Sequence, residues 1–331
     1  MEILSKYLSY IENIRRYSQR TVEIYGSVLK EFVPFACDGD ADPSDKNLIA
    51  SLIPSIIRSY EVHLLDADPP KTARTVNLHL SVLSGFCRYL VKEGYLKSNP
   101  VKLIKRPKLE SRLPVFFKRE GMEEYFQNTD WFASPEELES FKQDWNTRQG
   151  KESYEKRLHR AVISTLYCLG LRRSELIGMN VGNVDFGRKV VKVLGKGNKM
   201  REIPLPDSLS EEILLYLKAV EVMCEGNRSL KEPLFVTYTG RRLYASYVDR
   251  LVKSELVQIK GLTGRKSPHV LRHSLATELM NENADLNSVK ELLGHSSLAA
   301  TQVYTHSSIA RLKDIYKLAH PRAKNGGKYG D

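Results

Sequence analysis

A basic, proline-bearing stretch divides this sequence into two unlike parts. Residues 98–117, SNPVKLIKRPKLESRLPVFF, hold three prolines and five Lys or Arg against one Glu. Proline fixes φ and removes a backbone donor, so neither a regular helix nor a central strand runs through such a segment. Its apolar spacing is irregular, and it reads as an extended linker or a solvated loop. A basic linker between two folded units is also suited to lie along a phosphate backbone.

Before the divide the pattern is helical. Leu4, Tyr7, Leu8 and Ile11 recur at helical spacing, and Ser18 is placed to cap a second helix bearing Val22, Tyr25, Leu29 and Phe32. The periodicity predicts a third helix over 47–65 and a fourth over 72–94 that ends at Gly94. After the divide, residues 121–145 are acidic and contain both tryptophans. Like charge argues against DNA contact there, and residues 127–152 read as a surface insertion or a protein-contact element. Helices are then expected over 153–170 and from Arg172. VVKVLGKGNKMREIPLP alternates as a β-hairpin with Val191 and Val193 on one face and a turn at Gly195–Asn198. Ser208 and Glu211 are spaced as a capping box. Further helices are predicted over 245–259, 267–283, 288–295 and 297–306. A tail helix over about 308–319 carries Ile309, Leu312, Ile315 and Leu318 on one face.

The chain has 331 residues, enough for two domains at about 100–200 residues each. Its formal net charge is +11, which argues for a polyanionic partner. No apolar run approaches the roughly 18–20 residues of a membrane span. The charged N-terminal helix does not read as a signal peptide, so a cytoplasmic location with no membrane partner is expected. Cys37, Cys87, Cys168 and Cys224 are scattered among apolar neighbours with no CxxC pair. They read as buried structural thiols rather than disulfides or a zinc site.

The chemistry concentrates after residue 170. In SPHVLRHSLATELM, Ser267 and Pro268 mark a helix start, and His269, Arg272 and His273 follow at i, i+3 and i+4. Arg172 and Arg173 open a helix after Gly170, placed to fork onto phosphate oxygens. Lys196 stands between glycines at the hairpin tip. His295 follows a glycine at a helix end, and Tyr304 comes nine positions later. Arg172, Lys196, His269, Arg272, His295 and Tyr304 thus form an ordered set. Two arginines neutralise a pentavalent phosphate, Lys196 and His269 move protons, and Tyr304 is the candidate nucleophile. No carboxylate cluster accompanies them, so the expectation is phosphoryl transfer with no metal and no cofactor.

These residues resemble those of a tyrosine recombinase of the phage-integrase superfamily, close to the bacterial Xer site-specific recombinases. The motifs that carry the resemblance are GLRRSEL, VLGKGNKMREIPL, SPHVLRHSLATELM and VKELLGHSSLAATQVYTH. It spans about residues 1–120 and 153–320, while the acidic stretch is longer than the Xer pattern. The resemblance implies a mainly α, two-domain fold. A helical SAM-like core-binding domain (1–105) and a basic linker (106–118) precede an α-rich catalytic domain (119–331) with a small antiparallel β-sheet. It implies that Arg172 and Arg272 bind phosphate, Lys196 is general acid for the 5′-oxygen, His269 is acid and base, His295 stabilises phosphate, and Tyr304 is the nucleophile. It also implies that Glu175 buttresses an arginine. Arg173 reads as a DNA-backbone or surface contact, and His273 and His306 as non-catalytic.

The implied partners are double-stranded DNA with a specific recombination site, and a homotetramer on two such sites or a heterotetramer with a second recombinase. An activating DNA translocase is a further implied partner. The two domains would clamp duplex DNA from opposite sides, with exchange through a 3′-phosphotyrosyl bond and a Holliday junction. ATP is not needed, because the ester conserves bond energy. The biological setting stays open between Xer-type dimer resolution and integration or excision of a mobile element. A type IB topoisomerase shares the residue types. Core-binding helices that begin near Met1 favour the simpler Xer-like form.

Overall fold

The computed structural model describes residues 1–109, 116–195, 199–224, 226, 228–257, 259, 266–282 and 284–294. The chain divides into two compact units at residues 113 and 114. Each has its own apolar core.

The first unit is helical. Helix α1 (Glu2–Ser9) buries Ile3, Leu4 and Tyr7, and one π-helical turn extends it so that Ile11 is buried as well. The Ser18 hydroxyl accepts from the Thr21 N–H at 3.3 Å and starts α2 (Gln19–Ala36). The helix predicted over 47–65 is in fact two, α3 (Asp45–Ser51) and α4 (Pro54–Asp66), bent by 80°. Pro54 is the cause: it disfavours helical backbone at Ile53, which is extended, and it opens the next helix instead. Helix α5 (Ala73–Lys92) crosses the unit, and Phe86 packs on Tyr7 with ring centroids 5.1 Å apart.

The proline-bearing segment is only partly the extended linker that its sequence suggests. Asn99 caps a short 3-10 turn over Pro100–Leu103, and Val101 and Ile104 are buried in the first core. Asn77 on α5 donates to the Pro107 carbonyl at 2.9 Å, and Arg106 donates to Ser81 at 2.8 Å. Lys102, Lys105, Arg106 and Lys108 remain exposed. Apolar residues anchor this stretch while its cations face water.

The second unit is built around α8 (Arg148–Leu169), whose residues from Arg160 to Leu169 are all buried. The acidic stretch is not a surface element. Helices α6 (Arg119–Asn128) and α7 (Pro135–Asp144) bury Met122, Tyr125, Leu138 and Phe141 in the second core. Two buried arginines of α8 tie the stretch down. Arg157 pairs with Glu137, and Arg160 bonds both the Phe126 carbonyl at 2.6 Å and Glu212 at 2.8 Å. The net acidity masked an amphipathic pattern, with the carboxylates mostly on the outer face.

Helix α9 (Arg173–Gly178) leads into a three-stranded antiparallel sheet in the order β1 (Val184–Asp185), β2 (Val190–Leu194), β3 (Met200–Pro204). The hairpin register pairs Val191 with Ile203 and Val193 with Arg201, all of them buried. Strand β1 was not anticipated, being only two residues long. Helix α10 (Asp207–Cys224) begins before Ser208, which lies inside it rather than capping it. The last helices are α11 (Ala245–Glu255), α12 (Pro268–Asn281) and α13 (Leu286–Leu293). Among the described residues these are thirteen α-helices and three strands, a mainly α fold as the sequence predicts. No single helix among them is long and apolar enough to cross a membrane. Cys87 and Cys168 are buried, but Cys224 is exposed at the end of α10, so burial does not extend to all four thiols.

Candidate active site

Gly170 ends α8 with φ +57°, a backbone region that glycine enters without a Cβ clash. A Cβ there would lie 2.7 Å from Leu293 and 2.9 Å from Leu275, so α12 and α13 close tightly over this turn. Leu171 is fully buried and fixes the next residue, Arg172, at the start of α9.

Glu175 sits one turn into α9 and binds Arg172 twice. Its carboxylate accepts the Arg172 backbone N–H at 2.9 Å and Arg172 Nη1 at 2.6 Å. The same carboxylate accepts a fork from Arg201 on β3, at 2.9 and 2.8 Å. Burial pushes the Glu175 carboxyl up, but the Arg201 fork and the bonds from Arg172 outweigh it and hold it below the ordinary carboxylate value.

The end of α13 completes the cluster. The last carbonyls of a helix have no partner within it and carry partial negative charge. Here three successive carbonyls each receive a different arginine. Leu292 accepts from Arg201 Nε at 3.2 Å, Leu293 from Arg272 Nη2, and Gly294 from Arg172 Nη2 at 2.9 Å. Arg272 also donates to the Gly170 carbonyl at 2.6 Å. Its guanidinium is pulled down to about 10, by burial first and then by the Arg172 charge. It stays protonated at neutral pH but is poorly solvated.

Among these described residues, three guanidiniums face one carboxylate, so the cluster favours an anionic guest. Arg172 is the guanidinium open to such a guest, with its side chain 31% exposed against 6% for Arg201. His269 is exposed in the first turn of α12, three residues before Arg272. Ser267 precedes α12 with no cap bond from its side chain, and Pro268 takes the first helical position. His273 is exposed one turn further on. Arg173 pairs with Asp249 on α11 and so serves a surface ion pair.

Arg172 and Arg272 are thus brought together from 100 positions apart in the chain. Lys196, His295 and Tyr304 lie outside the described residues, as do His306 and the tail helix. Sequence reasoning missed Arg201. The signal was present, because an arginine alternating with Ile203 and Leu205 on a strand falls on the inward face. No group of three or more His, Cys, Asp or Glu among the described residues is arranged to hold a metal ion.

Comparison with known proteins places this chain in a family. Residues 134–311 match the family described as "Phage integrase family", and residues 4–94 match "Phage integrase, N-terminal SAM-like domain". The chain is 33% identical to tyrosine recombinase XerC of Chlorobaculum parvum, over 97% of this chain and 94% of that protein. It is 32% identical to tyrosine recombinase XerC of Bacillus subtilis, over 96% and 95%. The fold is similar to that of the Tn1549 transposon integrase in complex with transposon right-end DNA, with a TM-score of 0.63 at 16% identity over 94% of this chain and 98% of that one. It is also similar to that of XerH recombinase bound to a palindromic difH substrate, with a TM-score of 0.61 at 20% identity over 95% and 84%. Two matched domains and full-length likeness to recombinases give one reading: the chain belongs to the phage integrase family of tyrosine recombinases, in its Xer-type branch.

Proposed function

We propose that this Xer-type recombinase cuts and rejoins duplex DNA at a specific site through Tyr304, in chromosome or plasmid dimer resolution. The observation that carries the reading is the convergence of Arg172 and Arg272 on the end of α13, where one half-buried and one buried guanidinium lack a full complement of negative charge. A DNA phosphate supplies that charge, and supplies more of it in the pentavalent transition state. Likeness to the XerC proteins over nearly the whole chain supports the dimer-resolution setting over integration.

In this reading Tyr304 Oη attacks the scissile phosphorus as His269 takes its proton. The bond from phosphorus to the 5′-oxygen breaks, and Lys196 protonates that oxygen. Arg172, Arg272 and His295 hold the non-bridging oxygens. The product is a 3′-phosphotyrosyl ester and a free 5′-hydroxyl. A 5′-hydroxyl from the partner duplex reverses the chemistry and releases the tyrosine, leading to a Holliday junction. We read residues 1–105 as the core-binding domain, which the SAM-like match over 4–94 supports, and residues 119–331 as the catalytic domain. The exposed cations at 102–108 suit DNA-backbone contact within the linker region. Four protomers act on two sites, either identical or paired with a second recombinase, and a DNA translocase is the proposed activator.

The test is a nicked suicide duplex, from which the short leaving strand diffuses away and traps any covalent adduct. The duplex carries a sequence recovered by binding selection from a genomic library. The native protein forms the adduct, and Tyr304→Phe binds the duplex equally but forms none. An adduct with Tyr304→Phe would overturn the assignment of the nucleophile.

A further inference from the structure

Arg201 lies at the junction of three elements that the proposed chemistry depends on, yet it is too deeply buried to meet a substrate. It extends from β3, forks onto Glu175 of α9 and donates to the Leu292 carbonyl at the end of α13. Glycines line its guanidinium on two sides. A Cβ on Gly294 would stand 3.2 Å from Arg201 Nη1 and 3.3 Å from Cζ, and one on Gly195 would stand 3.4 Å from Nη1. Gly294 has φ +64°, so any other residue there is strained as well as crowded. Lys196 follows Gly195 directly in the chain, and His295 follows Gly294. One guanidinium therefore binds the support of Arg172 and the helix end that precedes His295, and it lies against the glycine that precedes Lys196.

We propose that Arg201 is a positioning residue for strand cleavage, acting through Glu175 to orient Arg172 and through Leu292 to seat the end of α13. A fork is needed for this. Two parallel N–H donors fix the Glu175 carboxylate in its plane, leaving an edge for each of the two Arg172 donors. Lysine at the same place supplies charge without the fork. The inference rests on the reading of Arg172 as a phosphate-binding residue.

The experiment measures single-turnover cleavage of the selected nicked duplex by the full-length protein. The rate constant and the amplitude are recorded separately, together with affinity for the uncut duplex. Arg201→Lys is expected to lower the rate constant about 100-fold, the scale on which a misplacement of about 1 Å acts. Affinity and amplitude stay within about threefold, a small change beside the tenfold of each 1.4 kcal/mol. Arg172→Ala lowers the rate by itself, and Arg172→Ala with Arg201→Lys is no slower than Arg172→Ala alone, because both changes remove the same contribution. A merely structural defect lowers amplitude and affinity, and its cost multiplies with that of Arg172→Ala. Gly294→Ala presses on the same guanidinium from the other side and is expected to show the same non-additivity, which keeps the test intact if Arg201→Lys does not fold. Multiplying defects, or an undiminished rate in Arg201→Lys, would overturn the proposal. An undiminished rate in Arg172→Ala would overturn the reading of the site and the proposal with it.

Discussion

Arg172 and Arg272 donate to neighbouring carbonyl oxygens, those of Gly294 and Leu293, at the end of a single short helix. Neither guanidinium has a carboxylate to itself. Arg172 shares Glu175 with Arg201, and Arg272 binds only carbonyl groups among the described residues. A carbonyl offers partial charge where a phosphate oxygen offers a full one, so the end of α13 orients the two cations without quenching them. His295 follows Gly294 directly, which ties the third proposed phosphate-binding group to the same helix end.

The role of Lys196 is separable from DNA binding by chemistry on the substrate. If it protonates the departing 5′-oxygen, Lys196→Ala slows cleavage of an ordinary phosphodiester strongly, within the roughly 100- to 10,000-fold range of general acid catalysis. A 5′-bridging phosphorothiolate leaves as a thiolate and needs no proton, so it restores the rate. Equal defects on both substrates would show that Lys196 only binds DNA.

The charge stabilisation proposed for Arg172, Arg272 and His295 needs no divalent cation. Cleavage is therefore expected to proceed in EDTA, with the ionic strength held constant because phosphate contacts are salt-dependent. Loss of adduct formation in EDTA, regained only with Mg²⁺, would contradict the mechanism.

Much of this architecture was legible from local rules. Ser18 caps its helix, Gly170 and Gly94 end theirs with positive φ, and the hairpin has the register that its alternation predicts. The failures arose where a tertiary partner changes what a residue does. Pro54 splits an apolar run that periodicity alone would carry through. Glu137 looks like surface charge until Arg157, twenty positions later, is folded beside it. Arg201 reads as one more cation of a basic hairpin, and only the approach of Glu175 and Leu292 turns it into part of the site. Sequence spacing places such residues on a face but does not say what the face meets.

Glu175 makes the stability of the second unit depend on acid. Its folded carboxyl titrates below the ordinary value of 4.5, so its contribution is fully present above that value. The contribution is lost as pH falls through the lower folded value. Glu175→Gln leaves Arg201 buried without its anion, a class of change that costs about 3–5 kcal/mol. Urea midpoints for native and Glu175→Gln proteins are expected to differ widely at pH 7 and to converge as the pH falls below 4.5 and through the lower folded value. A gap that stays constant into acid would mean that the Glu175 charge contributes nothing to folding.

The tail offers a prediction about assembly. Ile309, Leu312, Ile315 and Leu318 share one face of the expected tail helix, with Arg311, Lys313, Asp314 and Lys317 elsewhere. An apolar face of this kind needs a place to bury. Folding back on its own domain would make the tail a stability element. Docking on a neighbouring protomer would couple the placement of Tyr304, four residues before Ser308, to the presence of that neighbour, so that a lone protomer seldom cuts. The two cases separate on deletion from Ser308 onward. Under docking in trans, single-site binding stays near normal while cooperative occupancy of a second site and recombination fall together. Under folding in cis, the truncated protein melts earlier, and occupancy of the first site falls with that of the second. Recombination and cooperativity at the full-length level after truncation would rule out the trans arrangement.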